Sequence, residues 1–187
     1  MLGESQLNVL IAGADLSPRQ RERIQAQVQA GLRSLPRWAF DLLRGRIAAL
    51  GVQNLPLIVE PRTQGDRQQV MSLGQLNGRP AARLMPRLAG EAVDWGQDRR
   101  YLLAKAVAFM AAPPEETAQD FWSRWRQAVV SDRLREKALE TGQHWKDISD
   151  RGLLVEMFAA FALDPGHRRW TEFPEAKGFL DSWRAPP

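Results

Sequence analysis

Two runs constrain the fold of this chain more than any other feature: Tyr101 to Met110, YLLAKAVAFM, and Leu153 to Leu163, LLVEMFAAFAL. Each contains a single charged residue, Lys105 in the first and Glu156 in the second, and neither contains Gly or Pro. A segment that is apolar around its whole circumference is a helix covered on most sides, so the spacing predicts two buried helices forming the central pair of the fold. With 187 residues, 44% of them hydrophobic and 26% charged, the chain is long enough for one well-buried core and short for two ordinary domains. The sequence therefore reads as one packed unit over residues 35–187, preceded by an arm and a helix over residues 1–34.

The remaining segments predict an α+β protein that is mostly helical, with a small sheet containing a β-hairpin. Gln6 to Ala12 is a short β-branched and apolar run, a strand or an arm. Asp15 or Ser17 caps a helix from Pro18 to Leu32 whose apolar stripe, Ile24, Val28 and Leu32, is narrow enough to place it on the surface. Ser34 is expected to cap a second helix through Trp38, Phe40, Leu43 and Ile47, with Gly51 beyond its end. Val52 to Glu60 reads as a strand in which Pro56 marks an edge or a bulge. Arg62 to Gln69 reads as a loop, and Asn77-Gly78 between two apolar runs is the strongest hairpin signal in the chain. Leu88 to Gly96 is expected to be a connecting loop, with Asp94 or Asp98 capping the helix that follows. Beyond Pro113-Pro114 a single helix is predicted from Ala118 to about Leu139, its stripe of Phe121, Trp122, Trp125, Val129 and Leu134 serving as core. Thr141-Gly142 breaks the chain, Asp164-Pro165-Gly166 ends the second apolar helix, and Trp170 to Trp183 forms a short helix or turn.

Several chemistries lack the residues they need. Without Cys there are no disulfides and no thiolate metal sites, which is compatible with a reducing, cytoplasmic setting. No apolar run approaches the length of a membrane span, and the first residues lack the basic region of a signal peptide. No glycine-rich phosphate loop and no G-x-S-x-G elbow occurs. The net charge of +4 admits an acidic partner or nucleic acid, yet the arginines are interspersed with acidic and apolar residues, as on solvated helix faces, which argues against a nucleic-acid groove. A metal site would have to be assembled from His144 and His167 with carboxylates such as Glu156, Asp147 or Asp164; the simpler reading makes both histidines loop residues.

The helix around Glu156 resembles the helix that carries the last zinc ligand in zincin-type metallopeptidases related to the anthrax lethal factor catalytic domain. In that family the earlier helix carries H-E-x-x-H. Two histidines four apart grip Zn²⁺ from one helical face, and the Glu acts as general base on the metal's water. Here the corresponding stretch is Ala104-Lys105-Ala106-Val107-Ala108, whereas Glu156 keeps the place of the last ligand. Ala160 stands where the family has a second Glu, and Phe173 to Leu180 is similar to the segment that follows the last ligand helix, so the likeness spans about residues 35–183. The resemblance implies a catalytically inactive metallopeptidase-like protein without a cofactor, acting as a peptide- or protein-binding or regulatory module. It implies a degenerate site of Ala104, Lys105, Ala108 and Glu156, with Lys105 as the cation for Glu156. It also implies a partner-binding edge on the hairpin, at Asn77, Gly78, Arg79, Ala81 and Arg83. Two other readings stay open: a metal-dependent hydrolase with a non-standard site built on Glu156 and His144, and a basic nucleic-acid-binding module.

Overall fold

The computed structural model describes residues 6–13, 15–62, 70–140 and 148–184, together with the backbone but not the side chains at 138–140. The protein is α+β, and its backbone divides into two compact units, Met1–Ala111 and Ala112–Pro187. Residues 6–34, the arm and helix expected at the start, lie within the first of these.

The first unit is built on a four-stranded sheet of β1 (Leu7–Ile11), β2 (Leu55–Val59), β3 (Met71–Leu76) and β4 (Arg79–Leu84), in the order β1-β2-β4-β3. β1, β2 and β4 are parallel and β3 is antiparallel to β4. Helices α1 (Pro18–Arg33) and α2 (Arg37–Leu50) form the crossover from β1 to β2. Alternation along the strands puts Leu55, Leu57, Val59, Ala82 and Leu84, all fully buried, on one face of the sheet. Helix α3 (Arg99–Ala111) makes contacts with β4 and β3 as well as with α1 and α2.

Pro56 sits in an interior strand, contrary to the edge or bulge expected of it. The alternation of the ladder explains this. Leu55 N–H donates toward β1, to Gln6 C=O at 3.0 Å, and Glu60 N–H donates toward β4, to Leu84 C=O at 2.8 Å. Residue 56 therefore faces β4, where pairing begins only at Leu57 opposite Ala82, and the missing N–H costs no ladder bond.

Local chemistry accounts for most element ends. Ser17 caps α1 and forms a reciprocal capping box with Gln20. Gly51 ends α2 in the left-handed region, at φ 64°. Ser34, expected to cap α2, instead donates its hydroxyl to Gly31 C=O at the end of α1, and α2 begins after Pro36 without a side-chain cap. Asp98 is the side-chain acceptor at the start of α3, taking the Arg100 N–H at 2.8 Å. Hydrogen bonds from the Arg100 guanidinium hold its carboxyl below the ordinary Asp value, against a smaller opposing effect of burial.

The loop expected over residues 88–96 is instead a second hairpin, β5 (Arg87–Ala89) with β6 (Ala92–Asp94). Its turn residue Gly90 has φ 61° and its carbonyl accepts Gln20 Nε2 of α1 at 3.0 Å. Three residues are too few to carry a β period, so only pairing in three dimensions makes these segments strands.

The second unit is helical: α4 (Gln119–Ser131), α5 (Leu134–Glu140), α6 (Asp150–Leu163), a 3-10 turn at Arg168–Thr171 and α7 (Pro174–Arg184). The single helix expected from 118 to 139 is two helices, because the chain turns at Asp132 and Arg133, the latter at φ 52°. The aromatic stripe is core, as read from sequence: Trp122 and Trp125 are fully buried. Phe121 meets Phe179 and Trp183 of α7 edge-on at 5.0 and 5.2 Å. Each buried indole N–H has an acceptor: Trp122 donates to Pro113 C=O at 3.2 Å, Trp125 to Asp150 C=O at 2.8 Å and Trp170 to Asp164 C=O at 2.9 Å.

Candidate functional site

Both apolar runs are helices buried on most sides, α3 and α6. On α3, beyond its first two residues, the positions with partial solvent access are Tyr101, Lys105 and Phe109, four apart along one stripe, and the Lys105 ammonium lies 5.7 Å from the Tyr101 ring centre. Ala104 and Ala108, at the positions of the two histidines in the resembling motif, are fully buried. A methyl group fits each place where the motif would need an imidazole with an open path to a metal. On α6, Glu156 is partly exposed on a stripe with Gly152 and Ala160. Lys105 belongs to the first unit and Glu156 to the second.

His144 and Asp147 lie outside the described residues. Asp164 and His167 line a small apolar cleft of about 220 Å³ floored by Met157, Trp170 and Phe173. There the His167 Nδ1 is occupied as the acceptor of Arg169 N–H at 3.1 Å, closing the 3-10 turn. Among the described residues no group of three or more His, Cys, Asp or Glu is placed to hold a metal ion.

The hairpin signal at Asn77-Gly78 is realised as a two-residue turn with both residues at positive φ, 52° and 73°. It joins β3 to β4, pairing Leu76 with Arg79, Gly74 with Ala81 and Ser72 with Arg83. The expected partner-binding edge needs correction here. Asn77 and Gly78 form the turn, and Arg79, Ala81 and Arg83 lie on β4, which has β3 on one side and, from Ala82, β2 on the other. The outer strand of the hairpin is β3.

Which β3 groups point outward follows from the ladder. Met85 N–H donates to Val70 C=O at 2.8 Å, so residues 70, 72, 74 and 76 turn their backbone groups toward β4. Met71, Leu73 and Gln75 turn theirs away, and among the described residues no strand pairs with them. Next to this edge, on the sheet face opposite the core, lies a cleft of about 260 Å³. Its floor is the Gly74 and Ala81 pair, its apolar walls are Ile58 and Leu76, and its polar rim is Ser72, Arg62 and Arg83. Arg83 Nη1 pairs with Glu60 Oε2 at 3.0 Å, with both side chains well exposed. Arg62 Nη2 approaches Met85 Sδ at 2.8 Å. The one sequence signal for this edge is Gly74 interrupting the run from Met71 to Leu76; alternation alone does not say which strand of a hairpin lies outside.

The arrangement can hydrogen-bond an extended backbone along one strand and receive side chains in an adjoining apolar and cationic cleft. Comparison with protein-family models, with curated protein sequences and with solved structures finds no match to this chain.

Proposed function

We propose that this protein is a binding module on a metallopeptidase-like scaffold, without peptidase activity, which captures an extended segment of a protein partner as an additional strand on β3. The observation that carries the reading is the outward row of backbone groups at Met71, Leu73 and Gln75 beside the Gly74 and Ala81 cleft. An unpaired strand edge supplies main-chain hydrogen bonds to an incoming strand, and adjoining pockets select alternate side chains. The loss of H-E-x-x-H at Ala104, Lys105 and Ala108 supports binding without hydrolysis.

Leu73→Pro tests this directly, because it deletes an outward N–H while leaving the bonds to β4 in place; proline is tolerated at such edge positions. Peptides selected from a random displayed library on the wild-type protein are expected to protect the Leu73 and Gln75 amides from hydrogen exchange and to lose affinity for a Leu73→Pro variant that remains folded, its melting temperature lowered only by the lost packing of the part-buried Leu73 side chain. Selected peptides that bind this variant as well as wild type would overturn the proposal.

A further inference from the structure

We infer that the segment β3 receives is acidic, with one bulky apolar side chain set between carboxylates; this rests on the strand-addition reading above. The shape of the cleft carries the apolar part. Gly74 and Ala81 face each other across the hairpin, and a Cβ built on Gly74 meets nothing within 4 Å. A strand added beside β3 lies about 4.8 Å away, so its side chain next to Gly74 finds a vacant floor walled by Ile58 and by Leu76, which is 36% exposed. Glycine inside a strand with space above it is where an incoming group makes its closest approach.

Charge carries the acidic part. The described cleft lining holds two guanidiniums, Arg62 and Arg83, and no carboxylate. Arg79 continues the same face of β4, since it pairs with Leu76 two places along from the Gly74 and Ala81 pair. The partners these groups have now are weak competitors. Glu60 holds Arg83 in an exposed pair, and the thioether of Met85 is a poor acceptor for Arg62. Exchange for an incoming carboxylate therefore costs little, whereas an incoming lysine meets like charge. Ser72 and Gly74 are too small to block the path of an arginine side chain from β4 across β3 toward the added strand.

The test uses the full chain and three fluorescein-labelled eight-residue peptides built from alternating Val and Thr. One has a central Phe with Glu two residues to either side, so that all three side chains share the cleft face, one the same Phe with Lys at those two places, and one a central Gly with Glu at them. The Phe peptide with Glu is expected to bind roughly tenfold more tightly than the one with Lys at low salt, with the gap closing as salt rises. Gly74→Leu, at an ordinary φ and in open space, is expected to fold and to abolish the preference for Phe over Gly. Arg83→Gln is expected to weaken only the acidic peptides. Equal affinity for Glu and Lys peptides would overturn the inference while leaving strand addition standing. No binding of any peptide, or sedimentation showing a dimer that excludes them by pairing through β3, would overturn both.

Discussion

Asp132 shows how one residue decides the architecture of the second unit. It is only 4% exposed, and its carboxylate accepts the N–H of Ala176 at 2.7 Å and of Glu175 at 3.3 Å. It therefore caps α7 from a distant point in the chain, next to Pro174 at the first helical position. The same residue ends α4, its own N–H bonding back to Ala128 C=O, and Arg133 beyond it adopts φ 52°. Nothing in the run from Ala118 to Leu139 announces the break, because the partner N–H groups are more than forty residues away. Asp132→Ala is expected to cost about 2 kcal/mol, between a lost cap and a lost pair of buried charge-assisted bonds. Asp132→Asn keeps a side-chain acceptor and should recover part of the loss; chemical denaturation measures both, and an Ala variant as stable as wild type would show that the cap does not matter.

At the scale of elements, two helical glycines with the same local sequence preference have opposite roles. Gly31 is where α1 approaches α3: a Cβ there would stand 2.4 Å from Leu103 Cδ1, and Leu103 is itself fully buried. Gly45 of α2 is exposed, and a Cβ would meet nothing within 4 Å. Gly45→Ala is expected to stabilise by about 0.5–1 kcal/mol through helix propensity alone. Gly31→Ala gains the same propensity but forces Leu103 out of place, an overpacking that costs about 1–3 kcal/mol, so its net effect should be destabilising. Thermal melts of the two variants are expected to move in opposite directions, and a rise for both would mean that α1 and α3 have room to adjust. The narrow stripe of Ile24, Val28 and Leu32 was legible in sequence; that Gly31 completes it was not, since a residue without a side chain carries no hydrophobic period.

At the scale of the whole molecule, the burial of α3 opposes a metal site at the Ala104 and Ala108 positions. Because Ala104 and Ala108 are fully buried, Ala104→His with Ala108→His places two polar rings where methyl groups now pack. This double variant is expected to melt several degrees below wild type and to show no rise on adding zinc, and the wild-type protein is expected to purify without stoichiometric zinc. A zinc-dependent rise in its melting temperature would show that α3 can present a metal-binding pair, since a metal held only by the folded state stabilises it. The sequence by itself determined the two apolar helices, the Asn77-Gly78 turn, the Ser17 cap and the aromatic core of α4. In each case the cause lies within a few residues: a period of 3.6, a pair tolerant of positive φ, a hydroxyl beside proline. Only the tertiary structure decided that Pro56 lies inside a sheet, that residues 87–94 pair as strands, that Asp132 splits a helix and that β3, not β4, is the open edge. Each of these depends on which group of a distant segment arrives opposite it, and a backbone N–H, a carbonyl or a missing Cβ has no side-chain pattern by which the sequence could announce the meeting.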